Sequence, residues 1–347
     1  MAPNSTLPPS TPRDVRLGIT DPADVAFPLR WGILGAGRIS AQWVPCLHAC
    51  AGATVTAVAA RSVDRAREFA ARFGIPSAYG SYAEMVESPD VDIVYVGTID
   101  RLHKEHAILA IEAGKHVLCE KNLAETAADA RAMYAAAEAR GVMLQDAVWT
   151  RFFPAVEHAR TLIEAGAIGE VVLVQSDFGG TIYTVQAAPL AFGSDATPTA
   201  VTVAGLRPGG AIVEYGPDKC AVLTFPSMPS EFVETTEIIG REGRITLEQP
   251  AHAPTTITVR IPPPGTVPSR YMTANVPAPA QRFEYPLPAA VSLPDLAYPN
   301  QQGFLYQAEA VHRCLAAGLR QCPQYDKQES LHTLDILDEI DARRASG

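Results

Sequence analysis

The stretch Arg30–Ser40, RWGILGAGRIS, restricts this chain more than any other. A short apolar run stops at Gly35-Ala36-Gly37-Arg38-Ile39-Ser40, and a helical pattern follows at once. A buried strand that turns directly into a helix presents free backbone N–H groups, the geometry that receives a diphosphate. Gly35 allows the tight turn, and Gly37 lets phosphates approach the backbone; Arg38 and Ile39 open the helix beside them. Ser40 stands at the third glycine of GxGxxG and is small enough for close packing. A glycine turn alone is a weak signal, because many strand ends are only turns. Its surroundings strengthen it. Thr54–Ala60, Val91–Val96, His116–Glu120 and Val142–Val148 read as buried strands. Helical stretches Asp64–Phe73, about His103–Ala113, and Ala127–Arg140 alternate with them. That alternation predicts an α/β fold, a Rossmann-type doubly wound parallel sheet with the glycine turn after its first strand.

At 347 residues the chain exceeds what one core usually fills, so two domains are expected. The texture places a dinucleotide-binding domain at 29–150 and a second domain at 151–347. Residues 1–28 carry six prolines and no apolar block, which predicts a flexible extension rather than a secretory signal. Asp14, Asp21 and Asp24 argue against a transit peptide. The net charge of −10 disfavours a general nucleic-acid or anionic-membrane partner. Six scattered cysteines form neither a disulfide framework nor a CxxC pair, which fits a reducing, cytoplasmic setting. No apolar run approaches the roughly 20 residues of a membrane helix.

The end of the second strand discriminates between cofactors. An NAD site usually puts a carboxylate there, on the ribose 2′-hydroxyl. Here stand Arg61 and Ser62, with Arg65 one turn on. Guanidinium and hydroxyl suit a 2′-phosphate, so NADP is the expected cofactor. Without that context the two arginines are ordinary solvated side chains.

AGKHVLCEKNLAE (Ala113–Glu125) resembles the AGKHVLCEKP segment of the glucose-fructose oxidoreductase/inositol dehydrogenase (Gfo/Idh/MocA) family. The likeness extends through Ala57–Val86 and through AVWTRFFPAV (Ala147–Val156), and returns at Phe304–Gly318 and Leu334–Ile340. The AVWTRFFPAV block is similar to a subgroup of dimeric dihydrodiol dehydrogenases and NADP-dependent D-xylose dehydrogenases. Across most of Gly179–Asn300 the likeness is diffuse.

The resemblance implies an α+β second domain on an open, mostly antiparallel sheet whose free face makes a homodimer. Strand-like segments agree with that: Val171–Phe178, Ala200–Ala204, Ile212–Tyr215, Cys220–Phe225, Thr235–Ile239, Ile245–Leu247 and Thr256–Ile261. Helices are expected at Ala155–Ala165, about Gly303–Ala317 and Lys327–Arg343. The proline-rich stretch 262–300 reads as loop-dominated.

The implied activity is hydride transfer between nicotinamide and a hydroxyl of a D-xylose-like sugar or a trans-dihydrodiol. By resemblance Lys121 sits beside the nicotinamide and stabilises a developing alkoxide. Thr98, His103 and Glu120 are placed along the cofactor, Arg151 at the cofactor or the domain junction, and Trp149 and Phe152 at the substrate. Read without the family, Lys121 is a surface lysine and Trp149 a core residue. The family's EKP is Glu120-Lys121-Asn122 here, so the proline ring that would fix the loop is lost.

The family's proton-handling tyrosine follows an aspartate by one helical turn. Two registers fit. In one, the glycines of Gly209–Glu214 match and Asp218 falls at the tyrosine; in the other, Ile182-Tyr183-Thr184-Val185-Gln186 matches and Tyr183 handles the proton. The second is preferred, because it leaves 201–225 for strands. It also puts Gly179 where the aspartate belongs, so a segment ahead of Tyr183 is missing against the family pattern. That gap favours a rival reading, an NADP(H)-binding pseudoenzyme or regulator. Tyr215 and Lys219 copy the spacing of another dehydrogenase dyad, but Gly216-Pro217 interrupts the helix it needs. His103 and His106 lack a third ligand, so no metal site is expected.

Overall fold

A computed structural model describes residues 27–179, 181–205, 208–226, 233–263, 278–291, 293 and 298–346. The expected N-terminal extension, apart from Phe27 and Pro28, lies outside them. The described chain divides into two compact units. One takes in 27–152 and 287–331, the other 153–286 and 332–346.

The first unit is built on six parallel strands: β1 (Leu29–Leu34), β2 (Ala53–Ala59), β3 (Ser77–Tyr79), β4 (Ile93–Val96), β5 (His116–Cys119) and β6 (Leu144–Asp146). Their order is β3-β2-β1-β4-β5-β6. The order reverses between β1 and β4, which opens a crevice at the carboxyl ends of those strands. Ile93, Val94, Tyr95 and Val96 are all fully buried, as a sheet covered on both faces requires. Between and after these strands run the helices α1 (Arg38–Ala49), α2 (Val63–Phe73), α3 (Tyr82–Val86), α4 (His103–Glu112) and α5 (Ala127–Arg140). Left-handed glycines end two of them, Gly74 after α2 and Gly141 after α5. Trp43 of α1 stacks on Tyr95 of β4, with centroids 5.0 Å apart.

The 287–331 segment belongs to this unit, not to the 151–347 domain that chain order suggests. Aromatic packing explains the difference. Within it, the late helix Phe304–Ala316 sets Phe304 against Trp43 at 5.9 Å and against Trp149 at 4.5 Å. Its His312 accepts from Trp31 Nε1 at 3.1 Å and donates from Nδ1 to the Phe27 carbonyl at 2.8 Å.

The second unit carries α6 (Pro154–Glu164), β7 (Val171–Asp177), α7 (Thr181–Val185), α8 (Ala187–Phe192), β8 (Ala200–Ala204), β9 (Gly209–Glu214), β10 (Cys220–Phe225), β11 (Thr236–Gly240), β12 (Arg244–Leu247), β13 (Thr256–Arg260) and β14 (Ala280–Glu284). The strands form one sheet in the order β14-β13-β12-β11-β7-β10-β9-β8, and every pair but β7–β10 is antiparallel. Helix α6 packs on β12 and β13, and α8 on β7. In β9 the pleat alternates, with Ala211 and Val213 buried and Ile212 42% exposed. The final helices of the chain are α9 (Phe304–Ala316) and α10 (Lys327–Ser346).

Strand β14 lies within the 262–300 stretch expected to be loop-dominated, of which 264–277, 292 and 294–297 lie outside the described residues. Its AQRFE has no apolar alternation, because an edge strand is held by backbone pairing and carries charges that discourage further pairing.

Candidate functional site

At the turn after β1, Gly35 has φ +107, and a Cβ there would lie 2.9 Å from the Gly97 carbonyl oxygen. Only glycine fits. Gly37 differs: a Cβ would meet only that same oxygen, at a tolerable 3.7 Å. Packing within the chain therefore does not by itself require glycine at position 37. Ser40 donates from Oγ to the Gly35 carbonyl at 2.5 Å, so the residue replacing the third glycine ties the turn down.

Gly37 caps α1, whose N-terminus has no side-chain cap and no acidic residue in its first turn. Such an end attracts anions. Beside it lies a cavity of about 470 Å³ lined by Gly37, Arg38, Gln42, Arg65, Arg72 and Leu293, among others. Arg38 donates to the Tyr298 hydroxyl at 3.3 Å and Arg65 to the Ala36 carbonyl at 3.5 Å. Three guanidiniums at an open helix N-terminus fit a phosphate-bearing dinucleotide. Arg61 and Ser62 are exposed at the end of β2, and Ser62 caps α2 without a bond from its hydroxyl to the helix. Burial pushes the Tyr82 hydroxyl up, and Arg61 and Arg65 pull it back. Arg72 escaped the sequence reading; it lies two turns beyond Arg65 on the same face, and that spacing was the available signal.

The loops after β4 and β5 are clamped by one buried histidine. His103 Nδ1 lies 2.7 Å from the Asn122 carbonyl and Nε2 lies 3.2 Å from the Thr98 carbonyl. Thr98 Oγ1 bonds His106 Nδ1 at 3.0 Å, so both histidines have structural partners. Lys121 sits in the clamped loop, and its peptide bond to Asn122 is cis. Glu120 accepts from the Tyr95 hydroxyl at 2.6 Å and from the Lys121 amide at 3.2 Å. Burial pushes its carboxyl up, against the Tyr95 hydrogen bond and the Lys121 charge. Asp146, at the end of β6, is fully buried and accepts from Ser330 Oγ at 2.7 Å. Desolvation, aided by Glu120, pushes it up to about 7. Tyr95, Asp146 and Ser330 were missed; an aspartate inside an apolar strand was the visible sign of Asp146.

Three expected contact residues lie in the core. Arg151 is 0% exposed, donates to Glu329 Oε1 at 2.6 Å and lies 5.0 Å over the Tyr325 ring. A buried guanidinium needs such a partner, and this one locks the 287–331 segment in place. Trp149 and Phe152 are likewise buried, on a 3₁₀ turn Trp149–Phe152.

In the second unit Tyr183 lies on α7, half-buried, edge-on to Phe178 at 5.3 Å. The other register fails because Gly209–Glu214 is strand β9, not a helix. Asp218 is exposed near Arg241 at 3.7 Å. Tyr215 bonds His332 at 2.9 Å and Lys219 pairs with Glu170 at 2.9 Å, so these two form no dyad. Lys121 and Tyr183 belong to different units. Among the described residues no three potential ligands cluster for a metal, and no helix is long and apolar enough to cross a membrane.

A model of the oxidoreductase family with an NAD-binding Rossmann fold matches residues 29–147. The trans-1,2-dihydrobenzene-1,2-diol dehydrogenase of Sus scrofa is 33% identical over 353 residues, 92% of this chain and 97% of that one. The chain belongs to the Gfo/Idh/MocA oxidoreductase family. Solved members agree in fold. A 3-ketoreductase from Actinomadura kijaniata, in complex with TDP-benzene and NADP, is 25% identical with TM-score 0.69, over 90% of this chain and 97% of that one. It is also solved with one lysine and with one tyrosine replaced. A levoglucosan dehydrogenase in complex with NADH and levoglucosan, 21% identical, superposes with TM-score 0.74 over 92% of this chain and 97% of that one. This Gfo/Idh/MocA chain is therefore an oxidoreductase with an NAD(P)-binding Rossmann unit.

Proposed function

We propose that the protein is an NADP-dependent dehydrogenase oxidising a CH–OH group, with a trans-dihydrodiol as first-choice substrate and a D-xylose-like aldose as second. The observation that carries this reading is the pairing, on one sheet, of an arginine-lined helix N-terminus after β1 with a clamped Lys121 after β5. The bound nicotinamide would accept the hydride. Gly37 and the α1 amides would hold the diphosphate, and Arg61, Ser62 and Arg65 the 2′-phosphate. Lys121 would stabilise the alkoxide as it forms, and Tyr183 would take the hydroxyl proton. The 3-ketoreductase variants concern the same two residue types, and the Sus scrofa relative supplies the substrate class. We also propose a homodimer through the outer face of the second sheet, where Ile212 aligns with Val222 and Thr202. A monomer of 37.0 kDa at micromolar concentration would remove that part.

The test is NADPH formation from trans-1,2-dihydrobenzene-1,2-diol and from D-xylose. Lys121→Ala should lower kcat by about 10²–10⁴-fold and leave NADP(H) binding nearly intact. Arg61→Ala should weaken NADP(H) by roughly 1.5–3 kcal/mol and NAD(H) hardly at all. Equal affinity of the unmodified protein for both cofactors overturns the NADP assignment. A second reading, cofactor binding without turnover, has Gly179 in its favour: the family's aspartate position holds no carboxylate.

A further inference from the structure

The second unit contains a buried acid–base cluster with no role assigned above. His252 lies between β12 and β13, and Glu234 just before β11. His252 Nδ1 contacts Glu234 Oε1, and the two side chains are only 6% and 7% exposed. Burying a carboxylate and an imidazole together is costly unless geometry and hydrogen bonds compensate.

The backbone around the pair is also committed. Glu234 has φ +44, in the left-handed region that a glutamate rarely occupies. It is held there from both sides. Its N–H donates to Asp177 Oδ1 at 3.3 Å, and its carbonyl accepts from the Ala251 amide at 3.2 Å. Asp177 in turn accepts from Thr224 Oγ1 at 2.5 Å. Strained backbone kept in place by several bonds is a feature of functional sites.

The other side of the cluster is Tyr183. Phe178 stacks on the His252 ring at 4.7 Å and 20°, and Tyr183 meets the same ring at 5.4 Å and 60°. With Phe178 and Tyr183 edge-on to each other, the three rings close a triangle. Glu234 holds the imidazole by its Nδ1 edge, which fixes the orientation of the ring. A carboxylate that orients a histidine beside a proton-handling side chain is a recurrent catalytic arrangement.

We propose that Glu234 and His252 are positioning residues for Tyr183. They fix its ring and set a carboxylate-backed imidazole beside it, in place of the carboxylate the chain lacks at Gly179. This inference rests on the reading of Tyr183 as the proton-handling group.

Two shape-preserving variants test it in the full-length protein: His252→Phe keeps the ring stack, and Glu234→Gln removes only the charge. Each should lower kcat for trans-1,2-dihydrobenzene-1,2-diol by roughly 10–100-fold, with KM and NADP(H) affinity within about threefold. In a Tyr183→Phe background neither should slow the enzyme further. A structural pair would instead give losses that simply add, or raise KM in step with the fall in kcat, and either result overturns the proposal. A second measurement needs no turnover. With ¹³C at tyrosine Cζ, the Tyr183 resonance is identified by its loss in Tyr183→Phe, and its titration midpoint should move in both variants. An unmoved midpoint overturns the inference even if the enzyme is active. A moved midpoint in a protein that oxidises neither substrate upholds the coupling of Glu234 and His252 to Tyr183 and removes the two proposed substrates instead.

Discussion

The two sheets bury themselves in opposite ways. In the six-stranded parallel sheet both faces are covered, and β4 is buried at every position. In the eight-stranded sheet burial changes from strand to strand: β9 buries only Ala211 and Val213 and exposes Ile212 between them, while β13 stays buried from Thr256 to Val259. The difference decides where chemistry can sit. A parallel sheet sends all its strand ends to one edge, so Gly35, Thr98, Lys121 and Asp146 follow from strand after strand. The second sheet gathers its candidate cluster from β7, β10, the approach to β11 and the turn before β13. Backbone amides and the helix end dominate the first site, whereas side chains from distant positions make the second.

The contrast between the sheets is open to experiment because Trp31, Trp43 and Trp149 all lie in the first unit, so selectively excited tryptophan fluorescence follows that unit. The greatest change is expected at the buried Arg151–Glu329 pair. Glu329→Gln should destabilise the first unit by about 3–5 kcal/mol in fluorescence-monitored urea unfolding, since it leaves a buried guanidinium without its carboxylate. A loss below about 1 kcal/mol, the range of an exposed pair, would show that the 287–331 segment is not locked by these two residues.

A somewhat smaller effect concerns acid. Burial lowers His312 to about 4, below the ordinary histidine value of about 6.5. The folded state thus binds fewer protons than the unfolded chain between those values. Stability from a neutral His312 is full above pH ~6.5 and is lost as pH falls toward ~4, on the order of 3 kcal/mol in all. Asp146, raised to about 7, works in the opposite direction, so the difference between His312→Gln and the unmodified protein is the quantity to measure. That difference should shrink as pH falls from about 6.5 to about 4. If it stays constant, His312 is not held neutral.

The least change belongs to the open sheet. Arg282 and Glu284 pair at 2.9 Å on edge strand β14, both well exposed. Arg282→Ala should change stability by less than about 1 kcal/mol, read by circular dichroism. A larger loss would mean that the edge is covered in solution.

The parallel fold, the glycine turn, the arginine at the end of β2 and the Glu120-Lys121 segment were all legible along the chain. These are local signals: apolar runs of strand length, a glycine that must take positive φ, a charge at a fixed offset from a strand. No local signal could assign 287–331 to the first unit, because that rests on Phe304 and His312 meeting tryptophans far away in the chain. Nor could one show that Arg151 is a core ion pair, since a guanidinium's role depends on whether a carboxylate arrives beside it. Strand β14 was invisible because an edge strand is specified by a partner's backbone rather than by its own side chains. The Glu234–His252 pair was equally hidden: neither residue belongs to a motif, and only the pairing of β7 with β10 and β11 brings them to Tyr183.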